Sequence, residues 1–224
     1  MKQIQETINE ILSGQTISGI KRFQYLPYKM DIAMQWVMNI GRSFEPSFKL
    51  SGDEIKVYQQ LIKYIHGDPE FNGTLEKGLM LIGPTGTGKT LAMRIMQVYR
   101  TIDDTWYLMN GKPYRMNFDI YGVNDVVSHF IESGFDGIDL YCKRYVACFD
   151  DIGAEIDRVK YYGNNLDVIS HILAERYSRK LLTFGTSNFP VKVLEEKYDD
   201  RTISRMYALF NFIIMKGKDY RKPL

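Results

Sequence analysis

Apolar residues recur at helical spacing over IQETINEIL, at Ile4, Ile8, Ile11 and Leu12, and again over DIAMQWVMNIG from Asp31, at Ile32, Met34, Trp36, Val37 and Ile40. Both predict short helices, separated by the basic and aromatic stretch TISGIKRFQYLPYK. From Phe44 the pattern becomes regular. EIKVYQQLIKYIHG predicts an amphipathic helix with Ile55, Tyr58, Leu61, Ile62 and Ile65 on one side. GLMLIG from Gly78 is a short apolar run between glycines, which predicts a buried strand, and GKTLAMRIMQVYR after it predicts a helix. The alternation then repeats. RMNFDIYG from Arg115, YVACFDD from Tyr145, LLTFGTSN from Leu181 and FNFIIMKG from Phe210 predict strands. VNDVVSHFIESG, NNLDVISHILAERYSRK, PVKVLEEKY and TISRMYAL predict the helices between them. Strands alternating with helices predict an α/β fold, a parallel five-stranded sheet sandwiched by helices. A small helical N-terminal region over 1–43 precedes it, and the α/β domain covers 44–224.

Composition narrows this little. The chain has 224 residues, 45% hydrophobic and 25% charged, which suits one globular domain with a small appendage. The net charge of +2 is too mild to announce a nucleic-acid binder, so any such contact must come from a local patch. No apolar run approaches a membrane span, and MKQIQETINEILSGQ lacks the apolar core of a signal peptide. The expectation is a cytoplasmic protein with no membrane partner. Cys142 and Cys148 form no CxxC pair and the three histidines are scattered, so both cysteines are read as reduced and structural.

The chemistry is concentrated in GPTGTGKT, which satisfies G-x-x-x-x-G-K-[ST] between a predicted strand and a predicted helix. Gly83, Pro84, Thr85, Gly86, Thr87 and Gly88 form a loop whose backbone N–H groups curl around phosphates, and the following helix adds its positive end. Lys89 reaches the β- and γ-phosphates, and the Thr90 hydroxyl is a ligand for Mg2+. The expected cofactors are ATP and Mg2+. YVACFDD ends a strand in two acids: Asp150 for the Mg2+ shell, and Asp151 to orient or deprotonate the attacking water. Asp151 is shorter than the glutamate that many such ATPases use. In Thr186-Ser187-Asn188, at the end of the fourth predicted strand, Asn188 is the residue expected beside the γ-phosphate to position the water.

The order GLMLIGPTGTGKT, CFDDIGAE, TSNF, DRTISRM and GKDYRK resembles AAA+ ATPases, in particular the bacterial helicase loaders of the DnaC/DnaI type and their IstB-type transposase-helper relatives. The resemblance covers about 44–224. It implies self-association, with ATP bound between subunits and an arginine from the neighbour completing the site. The motif places that arginine at Arg205, with Arg201 four residues earlier as a second candidate on the same helix face. A guanidinium stabilises charge on the transferring phosphoryl group. The residues after the fifth predicted strand are few, and the expectation is a fold without a C-terminal helical lid. Arg221 stands where the resemblance keeps an arginine after an aromatic residue.

The resemblance also implies single-stranded DNA as a ligand, which needs cations for phosphates and aromatics for base stacking. IDLYCKRY offers Lys143 and Arg144, and DRVKYYGN offers Arg158, Lys160 and Tyr161. The implied activity is ATP-dependent loading of a replicative hexameric helicase. The alternative is a transposase helper acting on duplex DNA. An adaptor that binds ATP without hydrolysing it, and a small-molecule kinase, are further readings of the phosphate loop.

Overall fold

The computed structural model describes residues 25–103, 106–109, 112–156, 159–161 and 164–217. In chain order the elements are α1 (Met30–Phe44), α2 (Asp53–Ile65), β1 (Gly78–Ile82), α3 (Lys89–Asp103), β2 (Trp106–Met109), β3 (Lys112–Arg115), β4 (Asp119–Gly122), α4 (Val123–Lys143), β5 (Val146–Asp150), β6 (Val159–Tyr161), β7 (Asn164–Leu166), α5 (Val168–Ser178), β8 (Leu182–Ser187), α6 (Val191–Lys197), α7 (Asp200–Leu209) and β9 (Phe210–Ile214). β4, β5, β8, β1 and β9 lie in that order in one parallel sheet.

The sheet has a core on each face because alternate residues of a strand point to opposite sides. Leu79 and Leu81 of β1, with Val146 and Cys148 of β5, pack with α1, α2 and α3. Met80 and Ile82, with Ala147 and Phe149, pack with α4, α5, α6 and α7. This is why the predicted strands read as continuous apolar runs rather than alternating ones.

Several expected elements shift. Helix α1, expected in the N-terminal region, shares the core of the first sheet face through Ala33, Val37 and Ile40. Ahead of it, the backbone N–H of Leu26 donates to the carbonyl of His66, and Tyr28 stacks on that imidazole at 4.1 Å between centroids. Ile55, expected on the buried side of α2, is 36% exposed. RMNFDIYG is a strand only from Asp119, because Arg115 ends an antiparallel hairpin of β2 and β3. The helix expected from Asn164 begins at Val168, where the Asp167 carboxylate caps it by accepting from the backbone N–H of Ser170 at 2.9 Å. Asn164–Leu166 instead pairs with Val159–Tyr161 as a second hairpin. Helix α4 runs past its expected end and bends at Gly134, whose φ of 61° and ψ of −141° are open to glycine. Among the described residues no helix is long and apolar enough to cross a membrane. The residues of IQETINEIL lie outside those described, as does Arg221.

Candidate functional site

Because all five strands of the sheet are parallel, their C-terminal ends meet along one edge. β1 runs into the glycine-rich loop, β5 into the two acids, and β8 into Asn188. The pairing of Ile82 with Ser187, and of Phe149 with Gly185, sets β8 between the loop and the acids.

The loop is pinned to its neighbours. The Gly83 N–H donates to the Ser187 carbonyl at 3.2 Å, and the Met215 N–H to the Ile82 carbonyl at 2.7 Å. A Cβ on Gly83 would lie 2.1 Å from the Met215 carbonyl oxygen, so the first glycine is required by close approach of the chain after β9. Gly86 and Gly88 are required by conformation, with φ of 84° and 82°. Nothing stands within 4 Å of a Cβ built on Gly88, so the loop faces open space there. Thr87 is buried and its hydroxyl closes the turn on the Pro84 carbonyl at 2.9 Å.

Lys89 is 4% exposed. Its Nζ donates to the carbonyls of Gly83 and Pro84 at 2.8 and 2.9 Å and to Asn188 Oδ1 at 2.7 Å. The ammonium can only donate, which fixes the orientation of the Asn188 amide. Asn188 Nδ2 therefore faces Asp151 Oδ1, to which it donates at 2.8 Å. Asp151 itself has a φ of 64°, a conformation that aspartate tolerates better than most residues at a cost of about 1 kcal/mol. That turn takes its side chain out of the strand direction and toward Asn188.

A second connected group lies beside the first. The Thr90 hydroxyl donates to Asp150, at 2.9 Å to Oδ1 and 3.0 Å to Oδ2. The Thr186 hydroxyl donates to the same Oδ1 at 2.6 Å and accepts from the Asp151 N–H at 2.9 Å. Thr90 and Asp150 thus bring two hard oxygens together at the mouth of a loop shaped for phosphate, a donor set that suits Mg2+ shared with phosphates and water. The loop, Lys89 and these two oxygens fit a magnesium nucleotide.

Thr186 was not among the expected site residues. It stands next to last in β8, two positions before Asn188 and beside the strand end that meets the acids. Glu155 was also not expected. It is 5% exposed, accepts from the Gly153 N–H at 2.8 Å and from the Tyr198 hydroxyl, and nothing local in the sequence marks it as buried.

The remaining expected residues lie elsewhere. Arg201 and Arg205 sit on α7, capped by Asp199, whose Oδ1 accepts from the Thr202 N–H at 2.7 Å. Thr202, Met206 and Leu209 form the buried face of α7, while Arg201 is exposed and Arg205 half-buried. Among the described residues no hydrogen bond or ion pair joins either arginine to the loop or to the acids. Lys143 and Arg144 precede β5, at the opposite edge of the sheet from Asp150. Lys143 pairs with Asp139 at 2.6 Å, and Arg144 with Asp119. Lys160 is exposed on the β6–β7 hairpin, which follows the C-terminal end of β5. Arg158 and the side chain of Tyr161 lie outside the described residues.

No protein-family model matches the chain. A stretch of 139 residues is 26% identical to the ATP-dependent zinc metalloprotease YME1L1 of mouse and of human. It covers 59% of this chain but only 19% and 17% of those proteins, so the match spans less than a fifth of their length. Among solved structures, DnaI superposes with a TM-score of 0.57 at 22% identity, over 81% of this chain and 92% of that one. The DnaC helicase loader superposes with a TM-score of 0.56 at 18% identity, over 77% and 95%. The replication initiator DnaA bound to AMPPCP and single-stranded DNA gives 0.52 at 14%, over 78% and 49%. The chain shares the fold of DnaI and of the DnaC helicase loader.

Proposed function

We propose that this chain is an ATP-dependent loader of a replicative hexameric DNA helicase, binding Mg2+-ATP and single-stranded DNA and working as an oligomer. The observation that carries the reading is the extent of the likeness. It takes in 92% and 95% of DnaI and DnaC, against 49% of DnaA.

The geometry supports the chemistry. Bound Mg2+-ATP supplies a terminal phosphoryl group that water can accept. The chain does the rest. The loop amides and Lys89 hold the phosphates, and Lys89 is already poised at the loop by the Gly83 and Pro84 carbonyls. Thr90 and Asp150 hold the ion, with Thr186 steadying the Asp150 carboxylate. Asp151 orients or deprotonates the water, and Asn188 keeps its carboxylate aimed. Arg205, with Arg201 beside it, is carried outward on α7 to the site of a neighbouring subunit. Single-stranded DNA runs over the β6–β7 side, where Lys160 is exposed, rather than over Lys143 and Arg144, which are ion-paired at the far edge of the sheet.

The ATP-bound assembly holds helicase and DNA, and hydrolysis releases them. The N-terminal region docks on the helicase. Native mass spectrometry with a hexameric replicative helicase tests this. A complex is expected with ATP and is lost on deleting residues 1–24, a deletion that spares the packed α1. No complex in any nucleotide state, together with one formed with a transposase, overturns the loader in favour of the transposase helper.

A further inference from the structure

The Glu155 carboxylate is buried behind the acid-bearing turn, and nothing in the chemistry above uses it. Its Oε2 accepts from the Gly153 N–H at 2.8 Å, and its Oε1 accepts the Tyr198 hydroxyl. Lys197 Nζ donates to the Glu155 carbonyl oxygen at 3.2 Å and stands 3.9 Å from the carboxylate. Burial pushes the Glu155 carboxyl above its ordinary value, and burial beside that carboxylate pushes the Tyr198 hydroxyl up, so the tyrosine remains a donor.

The two partners of this one carboxylate belong to different working parts. Gly153 lies in the turn that follows Asp150 and Asp151, and the Ala154 N–H donates back to the Asp151 carbonyl at 2.9 Å. Tyr198 ends α6, and its neighbour Asp199 caps α7. The contact is tight. A Cβ on Gly153 would meet Leu194 Cδ2 of α6 at 2.8 Å and Phe189 Cδ2 at 2.9 Å. Helix α7, which carries Arg201 and Arg205, therefore starts from a corner whose hydrogen-bonded tie to the acid turn at Gly153 runs through the buried Glu155 carboxylate, beside the Lys197 and Leu194 contacts.

We propose that Glu155 is a positioning residue: through Tyr198 it aligns α7, and with it Arg201 and Arg205, to the Asp150–Asp151 turn of the same subunit. The arginine that a subunit offers its neighbour is then set in place by the offering subunit's own acid turn. This rests on the reading that α7 completes a neighbouring site.

Subunit mixing tests it. Asp151→Asn subunits keep the arginine and lack turnover, and Arg205→Ala subunits keep the site and lack the arginine. Mixing them is expected to restore ATP hydrolysis. Tyr198→Phe, which removes only the hydroxyl, is then placed on one parent at a time. On the Asp151→Asn parent it is expected to lower kcat of the restored activity by about tenfold with KM unchanged, the scale of loss that follows a small misplacement of a catalytic group. On the Arg205→Ala parent the change is expected to be less than about twofold. Glu155→Gln on the Asp151→Asn parent, which replaces an accepting oxygen with a donor, is expected to reproduce the loss. Equal losses on the two parents, or none on either, overturn the proposal. If the unmodified pair restores nothing, the shared-site reading fails and takes this proposal with it, and that failure is seen before Tyr198 is changed.

Discussion

Asn188 holds Asp151: its Nδ2 donates to Asp151 Oδ1 at 2.8 Å, while its own Oδ1 is fixed by Lys89 at 2.7 Å. Removing the amide leaves Lys89 its Gly83 and Pro84 carbonyls and takes away the Asn188 donor to Asp151, the residue proposed to orient the water. Asn188→Ala is expected to lower kcat by about a hundredfold, in the range found for loss of one preorganised polar group. Nucleotide affinity is expected to change by less than about threefold. Steady-state ATPase rates beside equilibrium binding of a fluorescent ATP analogue separate the two effects.

Thr186 reaches both acids, donating to Asp150 Oδ1 and accepting from the Asp151 N–H. It is fully buried. Thr186→Val preserves shape and removes both bonds, leaving the Asp151 N–H without that acceptor. The expected cost is about 1–3 kcal/mol of stability, read by denaturant unfolding. A higher Mg2+ concentration for half-maximal turnover is also expected, because Asp150 loses a donor that orients it.

The two loop glycines answer to different causes, and alanine separates them. At Gly83 a Cβ would meet the Met215 carbonyl oxygen at 2.1 Å, and neither backbone segment can move aside alone. At Gly88 the space is open, and only the φ of 82° opposes a side chain, at about 1 kcal/mol. Gly83→Ala is expected to lower Tm by more than Gly88→Ala. Equal melting shifts would show that the chain after β9 does not press on the loop.

Two carboxyls near α7 have opposite pH behaviour. The Thr202 N–H that Asp199 accepts, helped by the charges of Arg205 and Arg201, holds that carboxyl below its ordinary 3.8. Its contribution to stability is present above 3.8 and is lost as pH falls through the lower folded value. Asp199→Ala is expected to cost about 1 kcal/mol at neutral pH, with the gap to the unaltered protein closing in acid. Glu155 runs the other way. Burial raises it above 4.5, so its contribution is full below 4.5 and is lost as pH rises through the raised value. Unfolding midpoints measured from neutral to acidic pH for each variant check both signs.

Lys160 is exposed on the hairpin beyond the acids, and Lys143 is paired with Asp139 at the other edge of the sheet. Lys160→Glu is expected to weaken binding to single-stranded DNA and to reduce the slope of log affinity against log salt by about 1. Lys143→Ala is expected to leave that slope unchanged. Fluorescence anisotropy of a labelled oligonucleotide across a salt series measures both.

Features that depend on near neighbours in the chain are legible in the sequence. GLMLI is apolar throughout because both faces of β1 are covered, and GPTGTGKT marks its loop because a tight phosphate turn needs glycine at fixed intervals. The five strands of the sheet, and the grouping of Lys89, Thr90, Asp150 and Asp151 at its C-terminal end, are legible for that reason. Local pattern was less able to resolve short pieces. Asn164–Leu166 reads as the start of a helix until Asp167 caps the chain three residues later, and the hairpin strands β2, β3, β6 and β7 are too short to show a period. Features that depend on strand order come from the fold alone. β8 lies between β1 and β5, and this places Asn188 between Lys89 and Asp151, and Thr186 against Asp150. Packing between distant parts of the chain also puts α1 in the core and buries Glu155 under Tyr198. Parallel neighbours are joined by long crossovers, so their pairing is selected by packing across the whole sheet, and no stretch of sequence carries it alone.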